Sequence, residues 1–287
     1  MSSSSRVQPN WGRGRWAGKV VALIIGIAIL VYSLLPFYLM VVVSLTRDSD
    51  VLGIASSWFP AHPIVANYPG IFQATQFGSY LRNSAIISVG TTILGLVVSV
   101  PAAYAFSRLR FRGRRTLLFS TLLIYMLPPV LLIVPLLIMF RQFQLYDTYQ
   151  GIIIADATLI VPFGVWLLVG FFATIPKELE EAAAIDGASP FTAMIRIILP
   201  LSWPGVITAS VLFFVIVWNE FLYGYTFSSS DDIKPVPAAM RAFVFGEAGV
   251  YWGKIMAAAV ITSLPVIIVF LIFQRWIIPG LKGGVKG

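Results

Sequence analysis

Six long apolar stretches alternate with polar segments along the chain: 20–43, 84–107, 116–140, 151–175, 205–227 and 255–273. A helix needs roughly 20 mostly apolar residues to cross the hydrocarbon layer, and each stretch meets that length. Four hold no charged residue; the fourth contains Asp156 and the fifth Glu220. The pattern predicts an all-α polytopic membrane protein with six transmembrane helices. The first stretch is longer than the apolar part of a signal peptide and no A-x-A site follows it, so it is expected to be a retained span. Pro101, Pro128, Pro129, Pro135, Pro162 and Pro265 fall inside spans and predict kinks, because each removes a backbone donor. The divisions expected are a disordered tail over 1–18, a membrane domain over 19–278 and a short tail over 279–287.

Composition narrows the class. Of 287 residues, 58% are hydrophobic and 11% charged, against about 25% charged in soluble domains. Mean hydropathy is +0.88. There is no cysteine, and His62 is the single histidine. Thiol catalysis, disulfide frameworks and multi-histidine metal sites are therefore excluded. The net charge of +8 follows loop orientation. With six spans, the termini and the loops after spans two and four share one side. That side carries fourteen of the twenty Lys and Arg residues, among them Arg108, Arg110, Arg112, Arg114 and Arg115. The positive-inside rule makes that side cytoplasmic.

The segment 176–204 is too polar for lipid but is patterned. Glu178, Glu180 and Glu181 lie early, where carboxylates favour a helix N-terminus. Leu179, Ala182 and Ala183 share one face. Gly187 suits a helix exit, and Ser189 with Pro190 suits the cap and first residue of a second helix. Phe191, Met194, Ile195 and Ile198 then form an apolar stripe. The reading is a helix–turn–helix outside the membrane, which either a protein partner or lipid headgroups would cover.

The same segment carries a resemblance. Glu181-Ala182-Ala183, Gly187 and Ile197-Ile198-Leu199-Pro200 fit E-A-A-x3-G-x9-I-x-L-P, the EAA loop of permease subunits of binding-protein-dependent ABC importers. Leu81-Arg82-Asn83-Ser84, the run Ala102–Gly113, Trp218-Asn219-Glu220-Phe221 and the tail Gly283–Gly287 resemble the maltose-type sugar permeases, in particular the second of their two permease subunits. The resemblance implies half of a translocation pathway for a sugar in the bacterial or archaeal inner membrane. It implies a second permease subunit, two ATPase subunits and an extracytoplasmic sugar-binding protein as partners, with membrane lipid around them and no nucleic acid. ATP and Mg would be used by the ATPase subunits, and no cofactor or metal by this chain. Glu181, Ala182, Ala183, Asp186 and Gly187 would contact the ATPase, with Glu181 in the last turns of the first helix.

Other residues keep two readings. Carboxylates inside a bilayer are costly and often functional. Asp156, Asn219, Glu220 and Tyr223 either face the substrate path or are held within the bundle. Asp231, Asp232 and Arg241 lie in the long segment 228–254 and either contact the binding protein or belong to a re-entrant loop. No Walker-type G-x-x-x-x-G-K-[ST] run occurs, so ATP hydrolysis by this chain is not expected. A permease for a polyol or glycerol phosphate and a membrane-embedded lipid-modifying enzyme are the alternatives; the enzyme would need an acid–base or metal cluster, which the sequence does not present.

Overall fold

The computed structural model describes residues 11–53, 58–60, 62–240 and 251–283. Among them every regular element is helical. Their contacts divide the chain into two bodies, 1–68 with 252–260 and 69–251 with 261–287.

The first body is built on α1 (Trp11–Ser44). Its apolar side chains, Leu23, Ile24, Val31 and Tyr32 among them, are exposed, as lipid-facing residues would be. The helix opens at Trp11, ahead of the tail boundary expected at residue 18, because a nucleated helix extends at little further cost. Residues 1–10 lie outside the described residues. At its other end Asn67 donates to the Ser44 and Thr46 carbonyls, 2.9 Å each. Gly253 donates to Asp48 at 2.8 Å. A side chain at Gly253 would run into the Asn67 amide and the Thr46 carbonyl.

The second body contains α2 from its third residue (Asn67–Ala74), α3 (Phe77–Arg108), α4 (Arg114–Met126), α5 (Val130–Gln142) and α6 (Tyr149–Ala173). It continues with α7 (Glu178–Ile185), α8 (Pro190–Leu201), α9 (Trp203–Trp218), α10 (Leu222–Phe227) and α11 (Val236–Ala239). The final helix, α12 (Trp252–Gly283), passes from the first body into the second. The centre is a packing of α3, α6 and α9. Without a hydrophobic drive between helices in lipid, close approach of small residues holds them. A Cβ at Gly95 would meet Ile160 at 2.6 Å, and one at Gly164 would collide with the Phe213 ring.

Hydropathy placed the spans but not their bends. The third stretch is two helices meeting at 98°, because Pro128 and Pro129 remove consecutive donors and push the residue before them out of the helical region. The fifth ends as a helix at Trp218 and resumes at Leu222. The second begins at Phe77, seven residues early, since Phe77, Tyr80 and Asn83 are buried on one side of the extra turns. Four helices are long and apolar enough to cross a membrane, and the candidate spans reach six when α4 with α5, and α9 with the α8 bent 80° from it, each count as one.

Candidate functional site

The segment after α6 folds as its sequence chemistry dictates. Helix α7 runs from Glu178 to Ile185 with three carboxylates in its first turn. It ends at Gly187, whose φ is +82°. The Ala188 amide bonds the Ala183 carbonyl at 2.9 Å and the Gly187 amide bonds that of Ala184 at 3.1 Å. That is a Schellman motif, which needs a left-handed residue where the glycine stands. Ser189 then accepts from the Thr192 amide at 3.2 Å and Pro190 opens α8. Pro200 cannot donate to the Arg196 carbonyl, and a π turn at Met194–Ile198 absorbs the defect, with the Leu199 amide on the Met194 carbonyl.

The expected apolar stripe of α8 divides. Met194 and Ile198 are buried against the bundle, while Phe191 is 66% exposed and Ile195 is exposed. Ile185, 87% exposed, and Leu179 add to the outer surface. Glu181, Ala182, Asp186 and Gly187 are exposed there as well, and Ala183 is half-buried. In this eight-residue helix Glu181 sits in the first turn rather than the last, because α7 starts only at Glu178.

Sequence reading missed how this segment is fastened. Sequence position groups Arg108 with the loop cations, yet its side chain is 4% exposed and its Nε lies 2.8 Å from Glu180 Oε1. Tyr104 donates to Glu180 Oε2 at 3.0 Å. The Arg108 Nη2 donates to the carbonyls of Phe172 and Ile175, 2.7 Å each, at the C-terminus of α6. A cation there also complements the helix dipole. The clue in the sequence was a tyrosine and an arginine four residues apart at the end of a span, on one helical face.

The four candidate residues of the fourth and fifth stretches occupy different settings. Asp156 is 1% exposed and Tyr223 is fully buried. Glu220 is half-buried and acts as a local cap: its carboxylate accepts from the amides of Tyr223 and Gly224, 2.9 Å each, at the start of α10. The Tyr223 hydroxyl donates to the Pro129 carbonyl at 3.1 Å, tying α10 to the bend of the third span. Asn219 is exposed and donates to Val215 at 2.8 Å.

At the opposite end from α7, Asp147 holds the loop after α10. Its Oδ1 accepts from the Ser229 and Ser230 amides at 2.7 and 3.0 Å and from the Ser230 hydroxyl at 3.2 Å. Partial burial pushes its carboxyl up, but these hydrogen bonds outweigh it and hold Asp147 below the usual carboxylate range. Asn83 donates to the Asp232 and Lys234 carbonyls at 2.8 and 3.0 Å. Asp231 and Asp232 are exposed, Asp231 pairing with Lys234 at 2.6 Å. Arg241 lies outside the described residues. No group of three or more metal-ligating side chains forms among the described residues.

Comparison with known proteins agrees with this architecture. Residues 91–283 match the family model described as binding-protein-dependent transport system inner membrane component. The chain is 38% identical over 261 residues to the trehalose transport system permease protein SugB of Mycobacterium tuberculosis, covering 89% of this chain and 93% of that protein. It is 34% identical over 269 residues to the trehalose/maltose transport system permease protein MalG of Thermococcus litoralis, covering 93% and 96%. Its fold is similar to a chain of a bacterial ABC transporter that imports alginate, with a TM-score of 0.78, 23% identity, and coverage of 93% and 99%. The match spans well over half of the sequence, and the chain belongs to the family of binding-protein-dependent transport system inner membrane components.

Proposed function

We propose that this chain forms half of the pathway of a sugar importer, carrying a disaccharide or oligosaccharide, and that 176–204 couples it to separate ATPase subunits. One observation carries the coupling role. A helix–turn–helix is locked to the span ends on its inner side while its outer side exposes Leu179, Ile185, Phe191 and Ile195 beside Glu181 and Asp186. Helices that rest on lipid headgroups are rich in Lys and Arg. Helix α7 carries three acidic residues and no basic one, so a protein cleft with a cation for Glu181 suits it better. A second permease subunit, two ATPase subunits and a binding protein complete the assembly, and the charge bias puts both termini in the cytoplasm.

Support for the cargo comes from relatives named for trehalose and maltose transport. The relatives are permeases, so the enzyme alternative is set aside. For the substrate path, the exposed Asn219 and the half-buried Glu220 are the better candidates, and the burial of Asp156 and Tyr223 favours a role in bundle structure for those two. Asp231 and Asp232 are the residues offered to the binding protein.

Glu181→Lys tests the coupling role. It should leave the protein inserted but reduce co-purification of the ATPase at least about tenfold, since losing one partner of a desolvated charge pair is costly. Wild-type retention would refute the docking. Titrating the cognate binding protein with trehalose and maltose reads the cargo; binding of a non-sugar solute alone would refute the sugar assignment.

A further inference from the structure

We propose that Arg108, Glu180 and Tyr104 form the joint that makes α7 move as one body with the ends of α3 and α6, so that Arg108 and Glu180 are positioning residues for coupling. The inference rests on the docking role proposed for 176–204 and concerns the next step, how motion of the docked helix reaches the spans.

The chain alone is a poor transmitter at this point. Four residues, Thr174 to Lys177 with Pro176 among them, link α6 to α7. A linker of that length sets proximity and leaves orientation free. The joint fixes orientation. One Glu180 oxygen lies 2.8 Å from Arg108 Nε as an ion pair outside hydrogen-bond geometry, and the other accepts from Tyr104 at 3.0 Å. The same guanidinium closes on two carbonyls at the end of α6, 2.7 Å each. The two carbonyl hydrogen bonds fix the guanidinium plane, and its charge beside Glu180, together with the Tyr104 hydrogen bond, leaves the carboxylate little rotational freedom. Three elements, α3, α6 and α7, therefore meet on one side chain.

Adjacent carboxylates on α7 face different ways. Successive residues of a helix lie about 100° apart. Glu180 points into the bundle, with 15% of its side chain exposed, and Glu181 points outward. One reaches the partner and the other the spans. A desolvated ion pair contributes little net stability compared with an apolar contact, yet breaking it is expensive because it strands a buried charge. Such a pair is suited to holding one geometry under load.

The experiment uses the assembled complex in nanodiscs, with its second permease, ATPase and binding protein. Two quantities are read: ATPase retention, and the ratio of affinities for a non-hydrolysable ATP analogue with and without the binding protein. Binding linkage is reciprocal, so that ratio is the coupling factor between the two faces of the membrane. Glu180→Gln should keep the ATPase bound and move the ratio about tenfold toward one. Arg108→Lys keeps the charge but loses the rigid planar fork that presents Nε and Nη2 to different elements, and should fall between it and wild type. Tyr104→Phe should have the smallest effect.

An unchanged ratio in Glu180→Gln overturns the proposal. Loss of ATPase retention in that variant also overturns it, by placing Glu180 in docking rather than transmission. Should Glu180→Gln fail to insert, Arg108→Lys and Tyr104→Phe decide, and unchanged ratios in both overturn it. A wild-type complex whose ratio is already one would instead refute the coupling role of 176–204 itself.

Discussion

Replacing Gly187 separates two reasons for a glycine in the turn, backbone conformation and close approach of a partner. Its φ of +82° lies in the left-handed region, which costs other residues about 1–2 kcal/mol. A Cβ there would meet no atom of this chain within 4 Å, so the penalty within the chain is one of backbone alone. The turn can escape by giving up two hydrogen bonds, Ala188 to Ala183 and Gly187 to Ala184. At about 1 kcal/mol each, that caps the cost near 2 kcal/mol. The loss is small beside a fold stability of about 5–15 kcal/mol, so insertion should survive. Within the turn it is roughly a tenfold or larger shift in population. Asn tolerates the left-handed region, Ala less well, and the β-branched Val least. Hydrogen exchange at the Ala188 amide, read beside ATPase retention, should decline in the order Gly, Asn, Ala, Val. Wild-type protection in Gly187→Val would refute the strain argument. Equal damage from Asn and Val would show that the partner, not the backbone, excludes a side chain.

Two further outcomes follow from the packing and the loop anchor. Gly164→Ala should destabilise the bundle by about 1–3 kcal/mol through overpacking against Phe213. Phe213→Leu should recover part of that loss, whereas purely additive thermal inactivation of the double variant would refute the contact. Asp147→Gly keeps the left-handed backbone (φ 59°) but removes the acceptor for Ser229 and Ser230, so protease should nick residues 228–234 faster. Because folding lowers the Asp147 pKa, its contribution is complete above the ordinary value of 3.8 and is lost as pH falls below it. Nicking that is independent of pH between 5 and about 2.5 would refute the anchor.

The sequence by itself determined whatever depends on neighbours along the chain. Apolar run length located the spans, because a helix in lipid must satisfy its own backbone. The Gly187 exit and the Ser189 cap were legible because a left-handed turn and an N-cap each demand particular residues within a few positions. Tertiary structure decided direction and partnership. Hydropathy averages over Pro128 and Pro129 and therefore reads one span where the helix turns by 98°. Phe191 and Met194 belong to one stripe by periodicity, yet the bundle covers only Met194. Tyr104 and Glu180 stand 76 positions apart, and Arg108 looked like a loop cation until α3, α6 and α7 came together around it. Asp156 and Tyr223 likewise gained their burial from helices distant in sequence. Periodicity states which side of an element is apolar, but the meeting of one polar group with another is a property of three-dimensional packing, and a one-dimensional pattern does not encode it.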